Sequence, residues 1–166
     1  VFIKKQNPKI IAFLLVVGLG LSLLPTMAKA ASTTGTAVQV VITAIAIANV
    51  SALNFGSAPQ GDLARTIPPG AVENANNGSF TVTGQASTAY TITLPANGTV
   101  TMITGAGGVN RTIAVSNFLS TPAAGANGLL SAGGTQTLFV GATRAALGAA
   151  QVPGSYSATY TVTVIY

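Results

Sequence analysis

The sequence predicts an all-β protein, an immunoglobulin-like Greek-key sandwich that is incomplete and carries an arm at its N-terminal side. Three observations point there. Short stretches alternate apolar and hydroxyl side chains, as in Phe80-Thr81-Val82-Thr83 and Tyr90-Thr91-Ile92-Thr93, the period-2 pattern of strands with one face inward. Gly, Pro and Asn cluster between them and stop regular pairing. Residues 36–48 form a run of mostly β-branched side chains that is too long for an ordinary strand of one compact domain.

The first segment, residues 1–30, reads as a cleaved secretory signal peptide. Lys4, Lys5 and Lys9 precede an apolar run over residues 10–24, and Ala28-Lys29-Ala30 supplies small residues at a cleavage site. The run is shorter than the ~20 residues a spanning helix needs, so the expected contact with a membrane is through this peptide during export. Its removal takes every lysine. Arg65, Arg111 and Arg144 then face only Asp62 and Glu73, and the basic balance belongs to the leader. Scattered arginines give no phosphate-tracking stripe, so nucleic acid is not an expected partner. With no cysteine in the chain, an exported fold depends on packing and backbone pairing alone.

The arm is assigned to residues 31–45 and the sandwich to 46–166. Val38, Val40, Val41, Ile42, Thr43, Ile45 and Ile47 are β-branched, which stiffens χ1 and favours a pleated strand. Val38, Val41, Ile42 and Ile45 also fit a helical template, and residue type decides between the two. Extended, residues 36–48 would reach roughly 40 Å. Either part of this run pairs outside its own sheet, or it is one long bent first strand within the sandwich.

Asn49 to Ser51 interrupts the run, and Leu53-Asn54-Phe55-Gly56 resumes it. Residues 57–78, rich in Pro and Gly, read as mostly loop. Strands are expected at 79–84 and 90–95, joined by a hairpin-length turn at 85–89. Asn97-Gly98 is a turn signal of the I′ kind, and the next strand follows at 99–103. Gly105-Ala106-Gly107-Gly108 lacks the strand-to-helix context and lysine of a phosphate cradle and reads as a turn. A strand at 111–118 with Ile113, Val115 and Phe118 inward leads to a connection at 120–134 and another strand at 135–141. Residues 142–149 fit either a helical turn or a weak strand.

The clearest pattern comes last. Tyr156, Ala158, Tyr160, Val162, Val164 and Tyr166 alternate with hydroxyl residues and Ile165, and nothing in the sequence follows to lie beside them. About eight such patterns fit a two-sheet sandwich, with a closed barrel as the alternative. A sandwich short of its closing strand exposes apolar positions and unpaired backbone groups along a groove. The expected acceptor groove comprises Leu53, Phe55, Tyr156, Tyr160, Val162, Val164 and Tyr166. The expected donor-strand residues are Val38, Val40, Ile42, Ala44 and Ala46 of a neighbouring copy, entering by strand addition. A head-to-tail contact of this kind repeats into a filament, a homopolymer.

Taken in order, the signal peptide, the alternating arm, Leu53-Asn54-Phe55-Gly56, Phe80-Thr81-Val82-Thr83-Gly84 before Tyr90-Thr91-Ile92, and the ending from Pro153-Gly154-Ser155-Tyr156 to Tyr166 span nearly all the exported chain. This layout resembles the secreted pilin-like β-sandwich proteins of Gram-negative bacteria, related to archaic chaperone-usher pilins and spore coat U type domains. The resemblance implies subunits held soluble by a periplasmic chaperone, joined at an outer-membrane usher, and displayed as an extracellular cell-surface filament, a pilus or fimbria. Spore coat U type relatives often carry a cysteine near the first strand; this chain has none, so the likeness is to a cysteine-free branch.

Catalysis needs acids, bases, nucleophiles or metals within reach. The exported chain has no His, Cys or Lys, and Asp62 and Glu73 lie in a Pro- and Gly-rich loop. They read as solvated loop charges, without the spacing of a calcium loop, so no enzyme activity, cofactor or metal is expected. Asn49, Asn77, Asn97 and Asn110 begin Asn-x-Ser/Thr sequons, a pattern expected by chance in so Asn- and Thr-rich a chain. The alternative function is a self-complete surface or carbohydrate-binding sandwich, with Tyr156, Tyr160 and Tyr166 lining an adhesin-like face.

Overall fold

The computed structural model describes residues 31–166; the expected signal peptide at 1–30 lies outside the described residues. Nine strands run β1 Ala46–Ser51, β2 Arg65–Ile67, β3 Gly78–Thr83, β4 Ala89–Thr93, β5 Val100–Ile103, β6 Thr112–Thr121, β7 Gly125–Leu129, β8 Thr135–Arg144 and β9 Thr163–Ile165. They form two antiparallel sheets. The larger has the order β1-β3-β8-β6-β5, with β2 also on β8, and the smaller has the order β7-β4-β9. The all-β, immunoglobulin-like class is as expected.

The alternation written in the sequence places the core. Val82, Leu138, Val140 and Val115 from the larger sheet meet Tyr90, Ile92 and Val164 from the smaller, with Phe55, Phe80, Phe118 and Leu130 among them. Hydroxyl residues between them face outward, as Thr81, Thr83, Thr135 and Thr137 do along the β3–β8 ladder. Strict alternation would turn Phe118 outward from a strand that buries Ile113 and Val115. A register shift between Ser116 and Leu119, with Asn117 at φ 51°, inserts the extra residue that keeps Phe118 buried.

Several expectations are corrected. The segment at 85–89 is not a hairpin turn, because β3 and β4 belong to different sheets and the chain crosses the core between them. Asn97-Gly98 also bridges the sheets, and only Gly98 has positive φ, at 80°, so the two positive values a type I′ turn needs are absent. Asn49 to Ser51 does not break the first strand; a register shift there lets β1 continue along β3. The 120–134 connection contains β7, whose Gly-Ala-Asn-Gly-Leu sequence has poor strand propensity. Packing overrides propensity at Gly128: it pairs with Tyr90, and a Cβ there would collide with the tyrosine ring. Of residues 142–149, the first three complete β8 and the rest carry no helix or strand.

The last strand is shorter than its pattern. Burial alternates only from Tyr160 to Ile165, with Ala158 and Tyr166 exposed against the pattern, and ladder pairing covers only Thr163–Ile165, with one isolated bridge between Ile103 and Ser157. Continuing the β4–β9 register would set Pro95 against Thr161, and proline has no N–H to give.

At the other end, the chain divides after Gln39. The described part of the first unit, residues 31–39, is exposed and carries no strand. In the second unit, residues 40–45 also belong to no strand and are exposed except for half-buried Ile45. Strand structure therefore starts at Ala46. This residue, expected among the donor residues, is instead the first residue of β1, opposite Thr83, because the alternating pattern runs unbroken into a strand that β3 can pair.

Candidate functional site

The two segments expected to flank a groove do lie side by side. Among the described residues β1 pairs only with β3, and β9 only with β4, so each is the last described strand of its sheet. From β1 the chain runs on through Leu53 to Phe55; the other flank runs from Tyr156 to Tyr166. At one end Tyr166 Oη donates to Thr43 O at 2.9 Å. In the middle, Tyr160 Oη and Leu53 converge over Gly78, where a Cβ would strike the hydroxyl and lie 3.4 Å from Leu53 N. At the far end Leu53, Phe55 and Tyr156 line a cleft of about 650 Å³ with Met102 and Ile113 on its floor. The flanks are thus antiparallel and form a seam, closed at Thr43–Tyr166 and open at Phe55–Tyr156.

The C-terminal flank differs from the rest of the sandwich in its backbone pairing. Among the described residues, Ala158, Thr159, Tyr160 and Thr161 make no backbone hydrogen bond, whereas Ser157 exchanges two with Ile103 at 3.0 and 3.1 Å. Buried main-chain groups are almost always paired, and unpaired edges recruit strands.

Side chains along the seam behave differently from one another. Val162 and Val164 are buried in the core, Tyr156 and Tyr160 are half-buried, and Tyr166 is exposed apart from its hydroxyl contacts. Tyr160 packs against Phe118 at a ring-centroid distance of 5.3 Å and edge-on to Phe80 at 6.1 Å. Its hydroxyl is buried without a hydrogen-bond partner among the described residues, and burial pushes its pKa up to about 12. Tyr90, by contrast, donates to Gln136 Oε1 at 2.7 Å; burial raises its pKa as well. Tyr156 Oη donates to Val152 O at 2.6 Å and accepts from Gln151 Nε2 at 2.9 Å, which fixes the cleft wall.

The other wall is held by charges that the sequence reading assigned to solvent. Asp62 pairs with Arg144, whose side chain is only 3% exposed and also donates to Leu63 O at 3.0 Å and Ala145 O at 2.9 Å. Leu147 N donates to Asp62 O at 2.8 Å, and Gln60 Nε2 to Gln151 O. Glu73 accepts from Ser79 Oγ at 3.2 Å. A signal for the ion pair was present: Leu138, Val140, Ala142 and Arg144 share one face of a strand pattern, so the arginine points inward and needs one of only two acids.

The fold and the seam now stand beside one comparison. A family match covers residues 27–166, and the family is described as Domain of unknown function (DUF4402). The chain belongs to the DUF4402 family. No curated protein and no solved structure matches it. The DUF4402 match spans the arm and both sheets together, so β1, the seam and the C-terminal segment fall within one family unit.

Proposed function

We propose that this DUF4402 protein is a secreted structural subunit that polymerises by strand addition, residues 31–42 of one copy entering the seam of the next. The observation that carries the proposal is the pair of antiparallel edges, β1 to Phe55 and Tyr156 to Tyr166, each unpaired on its outer side and opening into a cleft of mixed polar and apolar lining. The chain also carries a matching occupant. Val38, Val40 and Ile42 are 96, 85 and 51% exposed, an apolar run that a solvated segment has no reason to keep.

Lengths agree. The Tyr156 to Tyr166 flank extends ~35 Å and residues 31–42 ~40 Å at about 3.3 Å per residue. Seating Val38, Val40 and Ile42 would contribute roughly 5–9 kcal/mol, at about 1.5–3 for each side chain, before ordering costs. The edge of Tyr160 to Thr161 would gain main-chain partners, while Ala44, expected among the donor residues, stays with its own chain between hydrogen-bonded Thr43 and β1. Donor and acceptor surfaces differ, so the contact is head-to-tail and repeats into a filament. The pilin-like resemblance supports the same assembly and adds a periplasmic chaperone, an outer-membrane usher and a cell-surface location.

The test is deletion of residues 31–42 from the exported chain, with negative-stain microscopy and light scattering on both proteins. The intact chain forms filaments and the deleted chain is a folded monomer. An intact chain that stays a folded monomer at every concentration overturns the proposal and leaves a self-complete sandwich.

A further inference from the structure

Thr43 is held on both of its main-chain groups. Its N–H donates to Gln85 Oε1 at 3.2 Å, and its carbonyl accepts from Tyr166 Oη at 2.9 Å. Gln85 N donates in turn to the same hydroxyl, so the tyrosine is fixed from two sides. Gly84 makes room: a Cβ there would strike Tyr166 Oη and stand 3.3 Å from Ile45 Cα. Gly84 N is itself tied to Gly134 O at 2.9 Å.

The sequence around this point cannot reverse tightly. Residues 41–48 read Val-Ile-Thr-Ala-Ile-Ala-Ile-Ala, with no Gly, Asn or Asp for the positive φ of a two-residue hairpin turn. A hydrogen-bonded β-turn that begins or ends at Thr43 would also need its carbonyl or N–H for the closing bond, and both are taken.

We propose that Tyr166, Gln85 and bare Gly84 form a clasp on Thr43 that stops the N-terminal segment from folding back into its own seam and so directs it to a second copy of this chain. The inference rests on the strand-addition reading and names the residues that decide between self and neighbour. Tyr166 and Gln85 are positioning residues; neither has to touch the incoming strand.

Tyr166→Phe keeps the ring and removes both hydroxyl bonds. Polymer fraction is measured by light scattering, and accessibility of residues 31–42 by limited proteolysis of the monomer peak. The clasp predicts a ratio of neighbour-bound to self-closed chain lowered about fivefold for each hydrogen bond lost, read as a smaller polymer fraction, and a monomer whose segment resists cleavage. Gln85→Ala, which leaves the tyrosine in place, moves both readouts the same way. Tyr166→Phe and Gln85→Ala chains that polymerise like the unaltered protein, or monomers whose segment is still cleaved, overturn the clasp while strand addition stands. An unaltered chain that is itself monomeric overturns both.

Discussion

Tyr160→Phe should stabilise the isolated domain, although it removes a polar group from a well-packed site. The phenol oxygen is buried without a partner among the described residues, and an unsatisfied buried hydroxyl costs about 1–3 kcal/mol. Phenylalanine keeps the packing on Phe118 and Phe80 and removes the cost. A gain of about 1 kcal/mol would raise Tm by about 3–5 °C for a domain of this size. The pH dependence adds a second readout. Burial raises the folded pKa of Tyr160 to about 12 from the ordinary tyrosine value of 10.0, so above pH 10 the unfolded chain loses its proton first and stability falls until pH passes the folded value. That contribution, of the order of 2 kcal/mol after discounting for partial exposure, is absent from the variant, whereas Tyr90, also raised by burial, keeps its own part of the alkaline slope. The assay is urea denaturation of the arm-deleted domain between pH 7 and 12. A variant that is destabilised at pH 7, or that keeps the full alkaline slope, refutes the assignment of Tyr160 as an unpartnered hydroxyl.

Other perturbations follow from the same geometry. Gly128→Ala places a methyl group against the Tyr90 ring and should cost about 2–3 kcal/mol in denaturant unfolding, with Tyr90→Leu in the same chain recovering part of it. Asp62→Asn leaves Arg144 charged and almost fully buried, a loss of about 2–4 kcal/mol; Arg144→Met should cost less, since Asp62 reaches solvent. Val40→Asp with Ile42→Asp should abolish filaments, yet shift the unfolding free energy by less than about 0.5 kcal/mol, because both side chains are exposed in the single chain.

Much of the fold was legible in local alternation. Val82, Ile92, Val115, Leu138, Val140, Val162 and Val164 were all on faces that the period-2 pattern turns inward, and all are buried. Alternation says which way side chains point but not which strands are neighbours, and so β3 and β4 looked like a hairpin although they lie in opposite sheets. β7 was missed because its sequence has poor strand propensity, and Gly128 is there for the Tyr90 ring and not for the strand. The seam was partly legible. Leu53, Phe55 and Tyr156 do come together at its open end, whereas Val162 and Val164 serve the core and Ala46 serves β1. The Thr43–Gln85–Tyr166 contacts join residues far apart in sequence, with no motif to announce them.

The most direct test of the seam uses the absence of cysteine from the chain. Single variants Val38→Cys, Val40→Cys and Ile42→Cys are each mixed with Leu53→Cys under assembly conditions and oxidised, since a disulfide reports Cα atoms within about 7 Å. Strand addition predicts disulfide-linked pairs of unlike chains in at least one of the three mixtures. Double variants that carry Leu53→Cys together with one of the three are oxidised in parallel; a disulfide that forms only within these single chains, with no linked pair in the mixtures and a protein that stays monomeric, would show each molecule closing its own seam and would contradict the account.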